Sequence, residues 1–189
     1  EEPSPFVEQV MADAERLSAE DEPYHREPIT YEAPYLDNLP TAPREKFAAN
    51  IAAIQKLKEI EQRVANGGSP AFEDEQKILA QYTGWGGLSD AFDPNKSTWS
   101  NEYSQLKAAL SESEYEAARS STLTAFYTPA TVIHPIYRAL ERFGVKGGKI
   151  LEPSMGTGAF LAHGHFGSSD AKFYGVELDS ITGRISKQL

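Results

Sequence analysis

Lys149–Leu161 reads KILEPSMGTGAFL, and this run restricts the possible folds more than any other part of the chain. A short apolar stretch meets an acid and a proline, then two glycines one residue apart, then another apolar stretch. The pattern predicts a buried strand over Lys149–Glu152, a glycine turn, and a helix opening at Gly158–His163. FYGVE (Phe173–Glu177) reads as a second strand, and Asp179 or Ser180 as the cap of a last helix reaching Leu189. Strand, turn, helix, strand and helix in that order open a parallel α/β sheet.

The sequence before it reads differently. From Thr41, Phe47, Ile51, Ile54, Leu57 and Val64 recur at helical spacing until Gly67–Gly68 stop them. Ser69-Pro70 supplies an N-cap and a first-turn proline for a second helix through about Gln81. QYTGWGGLSDAFD (Gln81–Asp93) is a turn-rich loop with Trp85 between glycines. A third helix is expected over Glu102–Leu110, and Ser111 with Glu114 reads as a capping box for a fourth through Arg119. Thr128-Pro129 then caps a helix with an apolar face of Val132, Ile133, Ile136, Tyr137, Leu140 and Phe143. Pro135 lies inside that window and predicts a kink or a restart.

Residues 1–40 are acidic and rich in proline, with a short helix expected at Val7–Leu17 and extended linker elsewhere. They hold eleven Asp or Glu against Arg16 and Arg26, a net of −9, whereas the remaining 149 residues come to −1. That distribution reads as a solvated lead and leaves no basic stripe of the kind that grips DNA. The chain has no cysteine, which excludes disulfides and thiolate metal sites. No apolar run approaches a membrane span, so no membrane partner is expected. Beginning EEPSPF without methionine, the chain reads as a piece of something larger. The expected organisation is a lead at 1–40, a helical domain at 41–125 and the start of an α/β domain at 126–189.

The glycine loop can be tested against three ligands. A P-loop needs Gly, four residues, then Gly-Lys-Ser/Thr, and the nearby FGVKGGKI puts Phe143 and Ile150 where Gly and the hydroxyl belong. A dinucleotide site needs G-x-G-x-x-G, and Leu161 takes the place of the third glycine. Glu152 also stands at the loop's mouth, where it would repel a pyrophosphate by on the order of 1 kcal/mol or more. A cationic ligand reverses that sign. S-adenosylmethionine carries a sulfonium and an ammonium, and Glu177 at the tip of the second strand suits its ribose hydroxyls.

FYTP (Phe126–Pro129), ILEPSMGTGAFL and FYGVELD together resemble the opening of the adenine-specific DNA N6-methyltransferases. With LAQYTGWGGLSDAFD and ARSSTLTAFYTP, residues 73–189 resemble the large methylase–helicase fusion proteins of phages, plasmids and conjugative elements, some described as antirestriction factors. The resemblance implies a Rossmann-like domain, incomplete in this chain, that binds S-adenosylmethionine. Thr128 and Pro129 would line the methionine end of the cofactor. Glu152, Ser154, Gly156 and Gly158 would form the loop beneath it, and Glu177 would hold the ribose. DNA would be the partner, through the parent protein, with a helicase domain possible in the same polypeptide and a cytoplasmic location.

Catalytic members of the family also carry Asn/Asp/Ser-Pro-Pro-Tyr/Phe after a later strand, to hold and stack a flipped adenine. No Pro-Pro occurs here, so no catalytic residue is assigned and the chain alone is expected to be inactive. The implied function is part of a DNA adenine N6-methyltransferase that moves the methyl group directly from sulfonium to nitrogen. The alternative is a non-catalytic nucleic-acid-binding or antirestriction module on a methyltransferase-like scaffold. A methyltransferase for protein glutamine or RNA shares the glycine loop, but the resemblance of the helical part argues against it. Trp85 reads as a packing anchor before a stacking platform, and His163-x-His165 as a solvated helix end before a metal site, so no metal is assigned.

Overall fold

In the computed structural model, residues 39–164 and 171–189 are described; the helix expected at Val7–Leu17 and the residue His165 fall outside them. Among these residues, helices surround a small parallel sheet of two strands.

Helix α1 spans Pro43–Ala65, with Pro43 in its first turn and Asn66-Gly67 ending it, Gly67 at φ 81°. Phe47, Ile51, Ile54 and Leu57 are buried as their spacing predicts, Ile60 joins them, and Val64 packs at the margin. Helix α2 begins at Glu73 and ends at Leu79, three residues inside the expected Ser69-Pro70 start. The Arg63 guanidinium holds that entry open. It donates to the carbonyls of Ser69 (2.8 Å) and Pro70 (2.9 Å) and forks onto Glu75 at 2.6 and 2.7 Å. Those carbonyls therefore serve a side chain instead of a first helical turn.

Two short 3-10 turns, Ser89–Phe92 and Ser97–Trp99, lead to α3 (Ser100–Ala109). Helix α4 (Glu112–Ser120) carries the expected capping box: Glu114 N–H donates to Ser111 Oγ, and Ser111 N–H to the Glu114 carboxylate. A 3-10 turn at Ser121–Leu123 follows.

Helix α5 runs unbroken over Ala130–Arg142 with Pro135 inside it, so the helix does not restart. Ile133 and Tyr137, on either side of Pro135, are buried in one cluster with Ile150, Phe160 and Phe173. Packing on both sides offsets the roughly 3 kcal/mol that an interior proline costs. Pro129 stands at the N-cap without a side-chain cap bond, so Thr128 does not cap α5 as expected. The apolar face is buried only in part: Val132 (46%), Ile136 (40%) and Phe143 (84%) are exposed.

Strand β1 is Gly148–Glu152 and β2 is Ala171–Gly175, parallel, with Ile150 opposite Phe173 and Glu152 opposite Gly175. Both are edge strands among the described residues. Their side chains are therefore half-buried or exposed, not the buried run the sequence suggested. Helix α6 (Ala159–His163) connects them on the α5 side. Two strands and one crossover are the small parallel sheet of a mixed chain; they do not by themselves make a Rossmann-like domain.

Helix α7 (Ser180–Ser186) is capped by Asp179, whose carboxylate accepts from the N–H groups of Ile181 and Thr182. It returns to the helical part. Ile181 and Ile185 are buried in the same core as Ile54, Leu57 and Trp85. Arg184 forks onto Glu61 at 2.6 Å for both bonds and reaches Glu114 at 2.7 Å. The main core thus joins residues on both sides of the expected boundary at 125.

Candidate functional site

The glycine loop is shaped by three backbone features. Met155 N–H bonds to the Val176 carbonyl (3.0 Å) and Val176 N–H to that of Glu152 (2.9 Å), which continues strand pairing into the loop. Gly156 at φ 58° and Gly158 at φ 89° then turn the chain into α6, in conformations that other residues rarely adopt. Between the strand tips lies Glu177. Its carboxylate accepts from the N–H of Gly156 and from that of Asp179, both at 2.9 Å. Each oxygen keeps a further lone pair for a ligand hydroxyl.

Tyr127 ties this loop to the helical part. A Cβ on Gly156 would sit 3.2 Å from the Tyr127 ring, and a Cβ on Gly84 would sit 3.2 Å from the ring's hydroxyl end. The phenol meets Thr182 Oγ1 at 3.3 Å. Burial, aided by the negative charge of Glu177 and Asp179, pushes the Tyr127 pKa well above its ordinary value, so it remains a neutral phenol.

The loop carrying Gly84 is itself fixed from α1. The buried side chain of Asn50 donates to the Gly84 carbonyl (2.6 Å) and accepts from Thr83 N–H (2.8 Å), while Lys46 donates to the Gly86 carbonyl (3.0 Å). Gly86 and Gly87 in turn donate to the carbonyls of Ala125 and Thr122. Trp85 is fully buried, edge-on to Phe47, Tyr82 and Phe92, and is the anchor of this crossing; it has no face free for a base or a cofactor.

A cleft of about 390 Å³ opens between the two parts. Tyr82, Gly84, Ser120, Ser121 and Thr124 line it from the helical side, and Tyr127, Ser154, Gly156, Glu177 and Asp179 from the other. Phe126 and Leu178 stand at its rim, Leu178 at 99% exposure. The lining holds two carboxylates and neither Lys, Arg nor His. Of the residues singled out by sequence, Ser154, Gly156 and Glu177 line this cleft. Thr128, Pro129, Glu152 and Gly158 do not. The Glu152 carboxylate accepts from Ser154 N–H (3.1 Å), and Gly158 is buried with Ser186 Oγ 3.6 Å from where its Cβ would be.

Sequence reasoning did not select Tyr82, Gly84, Ser120, Ser121, Thr124 or Thr182. The signal available was the hydroxyl run in ARSSTLT just before FYTP, which contributes three of these side chains. On the far side of α5, His134 Nε2 meets His163 Nδ1 at 3.0 Å, and His163 is buried, not a solvated helix end. Among the described residues no group of three or more His, Asp or Glu could hold a metal ion, and no helix is long and apolar enough to cross a membrane.

No family model matches the chain, and no solved structure matches it. The chain is 27% identical over 165 residues to the Defense against restriction protein B of Escherichia phage P1. The match takes in 87% of this chain but only 6% of that protein, so the chain spans a small fraction of the relative's length. This is a weak likeness to an antirestriction protein, and it carries no evidence on methyl transfer.

Proposed function

We propose that the chain is a module of an antirestriction protein, working in the cytoplasm of a bacterial host as part of a longer polypeptide that contacts DNA. The likeness over 87% of the chain to a protein named for defense against restriction supports this reading. In this role the strand–glycine-loop–strand unit serves as a scaffold and ligand site, and the chain itself carries no methyl-transfer residue.

The cleft's chemistry favours S-adenosylmethionine as its ligand. The observation that carries this is a lining with two carboxylates and no cation. At partial burial a like charge costs on the order of several kcal/mol at contact, which disfavours phosphates, whereas S-adenosylmethionine, whose sulfonium and ammonium outweigh its one α-carboxylate, gains from the same field. Ser154, Gly156 and Glu177 would hold the cofactor, with Glu177 offering its spare lone pairs to a diol. Bound there, S-adenosylmethionine would supply an activated methyl group. The second reading, methylation of adenine N6 in DNA by the complete protein, rests on that chemistry together with the sequence motifs.

One experiment separates the readings. The complete parent polypeptide is expressed in a restricting host, and the plating efficiency of unmodified phage is measured beside the 6-methyladenine content of the recovered DNA. Protection that survives Glu177→Ala supports the scaffold reading. Protection and methylation lost together support the enzyme. Failure of the unaltered protein to protect overturns the antirestriction assignment.

A further inference from the structure

The wall that the helical part contributes to the cleft has a polarity of its own. Ser120 Oγ donates its proton to the Ala117 carbonyl and Ser121 Oγ to that of Ala118, both at 2.8 Å; Thr124 Oγ1 lies 3.5 Å from the Ser121 carbonyl. A hydroxyl has one proton and two lone pairs, so a hydroxyl whose proton serves the helix meets a ligand as an acceptor. Ser120 is the last residue of the nine-residue α4 and Ser121 its C-cap, where the summed peptide dipoles place partial negative charge; Thr124 follows the 3-10 turn beyond them. Across the cleft stand Glu177 and Asp179. Tyr82, also in the lining, is fully buried, with its hydroxyl beside the side chains of Thr182 and Trp85. A pocket whose walls offer acceptors from both sides is matched by a ligand group that only donates.

We infer that Ser120, Ser121 and Thr124 form a cation subsite that takes the ammonium end of the ligand, so that the helical part is a binding wall of the site. This rests on the cofactor reading above for the identity of the whole ligand, but not for the sign of the wall. The nucleoside end then lies toward Glu177 and the exposed rim of Phe126 and Leu178.

The test is a titration of the 189-residue chain followed by amide NMR, with three probes that divide the ligand. These are S-adenosylmethionine, its nucleoside end methylthioadenosine, and its cationic end S-methylmethionine. Expected are shifts of the Ser120, Ser121 and Thr124 amides with the first and third probes, and shifts confined to Gly156 and Glu177 with the second. Ser121→Ala and Thr124→Val should each weaken S-adenosylmethionine by about tenfold, as expected for a hydrogen bond to a charged group, and leave methylthioadenosine unchanged. Thr124→Ser should restore affinity. S-adenosylmethionine bound equally well by both variants overturns the subsite and leaves the cofactor reading standing. Variants that lose both adenosyl probes alike overturn it as well, since that reports a packing role. Wall shifts from S-methylmethionine without binding of either adenosyl probe uphold the subsite and remove the cofactor. Binding of no probe removes both.

Discussion

Gly86 has no room for a side chain: a Cβ there would lie 2.2 Å from the Ala125 carbonyl oxygen, itself the acceptor of the Gly86 N–H. Gly86→Ala must therefore break that bond or move the chain, and a loss of about 1–3 kcal/mol in urea unfolding is expected, the range of overpacked sites. Gly67 offers a contrast, since nothing lies within 4 Å of its Cβ position and only its φ of 81° resists substitution. Asn50 is a second residue whose role is local but decisive. Asn50→Leu leaves the Gly84 carbonyl and the Thr83 N–H buried without partners, at about 1–3 kcal/mol for each group. The readout is the unfolding midpoint, with Ser154 and Gly156 amide shifts reporting whether the loop's displacement reaches the cleft. Neither the close approach at Gly86 nor the role of Asn50 was legible in the sequence. A glycine announces freedom without saying what crosses it, and a polar residue on an apolar helix face looks like an error until its loop is placed.

Elements were more legible where local signals agreed. The α1 stripe, the Ser111–Glu114 capping box and the strand–turn–helix–strand order around Gly156 and Gly158 all followed from spacing and turn chemistry. Departures occurred where a distant side chain decided the outcome. Arg63 drew Ser69 and Pro70 out of α2, and burial of Ile133 and Tyr137 carried α5 through Pro135. The apolar face of α5 also shows why periodicity overstates burial: it reports which side is apolar, not how much protein covers it. Ile133→Ala should cost about 2–5 kcal/mol, whereas Phe143→Ser, at an exposed position, should stay within about 0.5 kcal/mol. Comparable losses for the two would mean that Phe143 is covered in solution. The candidate site was half legible. Its glycine loop and Glu177 have a recognisable pattern, but the hydroxyl wall becomes part of a site only once α4 is packed beside the cleft.

At the scale of the molecule, α7 is held to the helical part by packing and by charge. Burial opposes ionisation of Glu114, but hydrogen bonds from Arg184, the Ser111 N–H and Lys58 outweigh it and hold its carboxyl at about 2, against an ordinary 4.5. Glu75, bonded first by Arg63 and also by the Phe72 N–H, lies at about 2 as well. Both groups have a folded pKa below the unfolded one. Their stabilisation is therefore complete above about pH 4.5 and is lost as pH falls from there toward 2. The thermal midpoint should fall over that window, and Arg184→Ala should flatten the Glu114 part of the decline. An unchanged pH profile in that variant would show that the network contributes nothing beyond geometry. Arg184→Lys should not restore it, because one ammonium cannot fork onto Glu61 and reach Glu114 together.

Tyr127 is gripped between Gly84 and Gly156, one from each side of the cleft. A ring wedged between two bare backbones makes three distant positions a single inheritance. A larger residue at either glycine demands a smaller one at the wedge, while the positive φ of both glycines resists change even when the ring is lost. Among descendants of this chain, the sizes at positions 84, 127 and 156 should drift together or not at all.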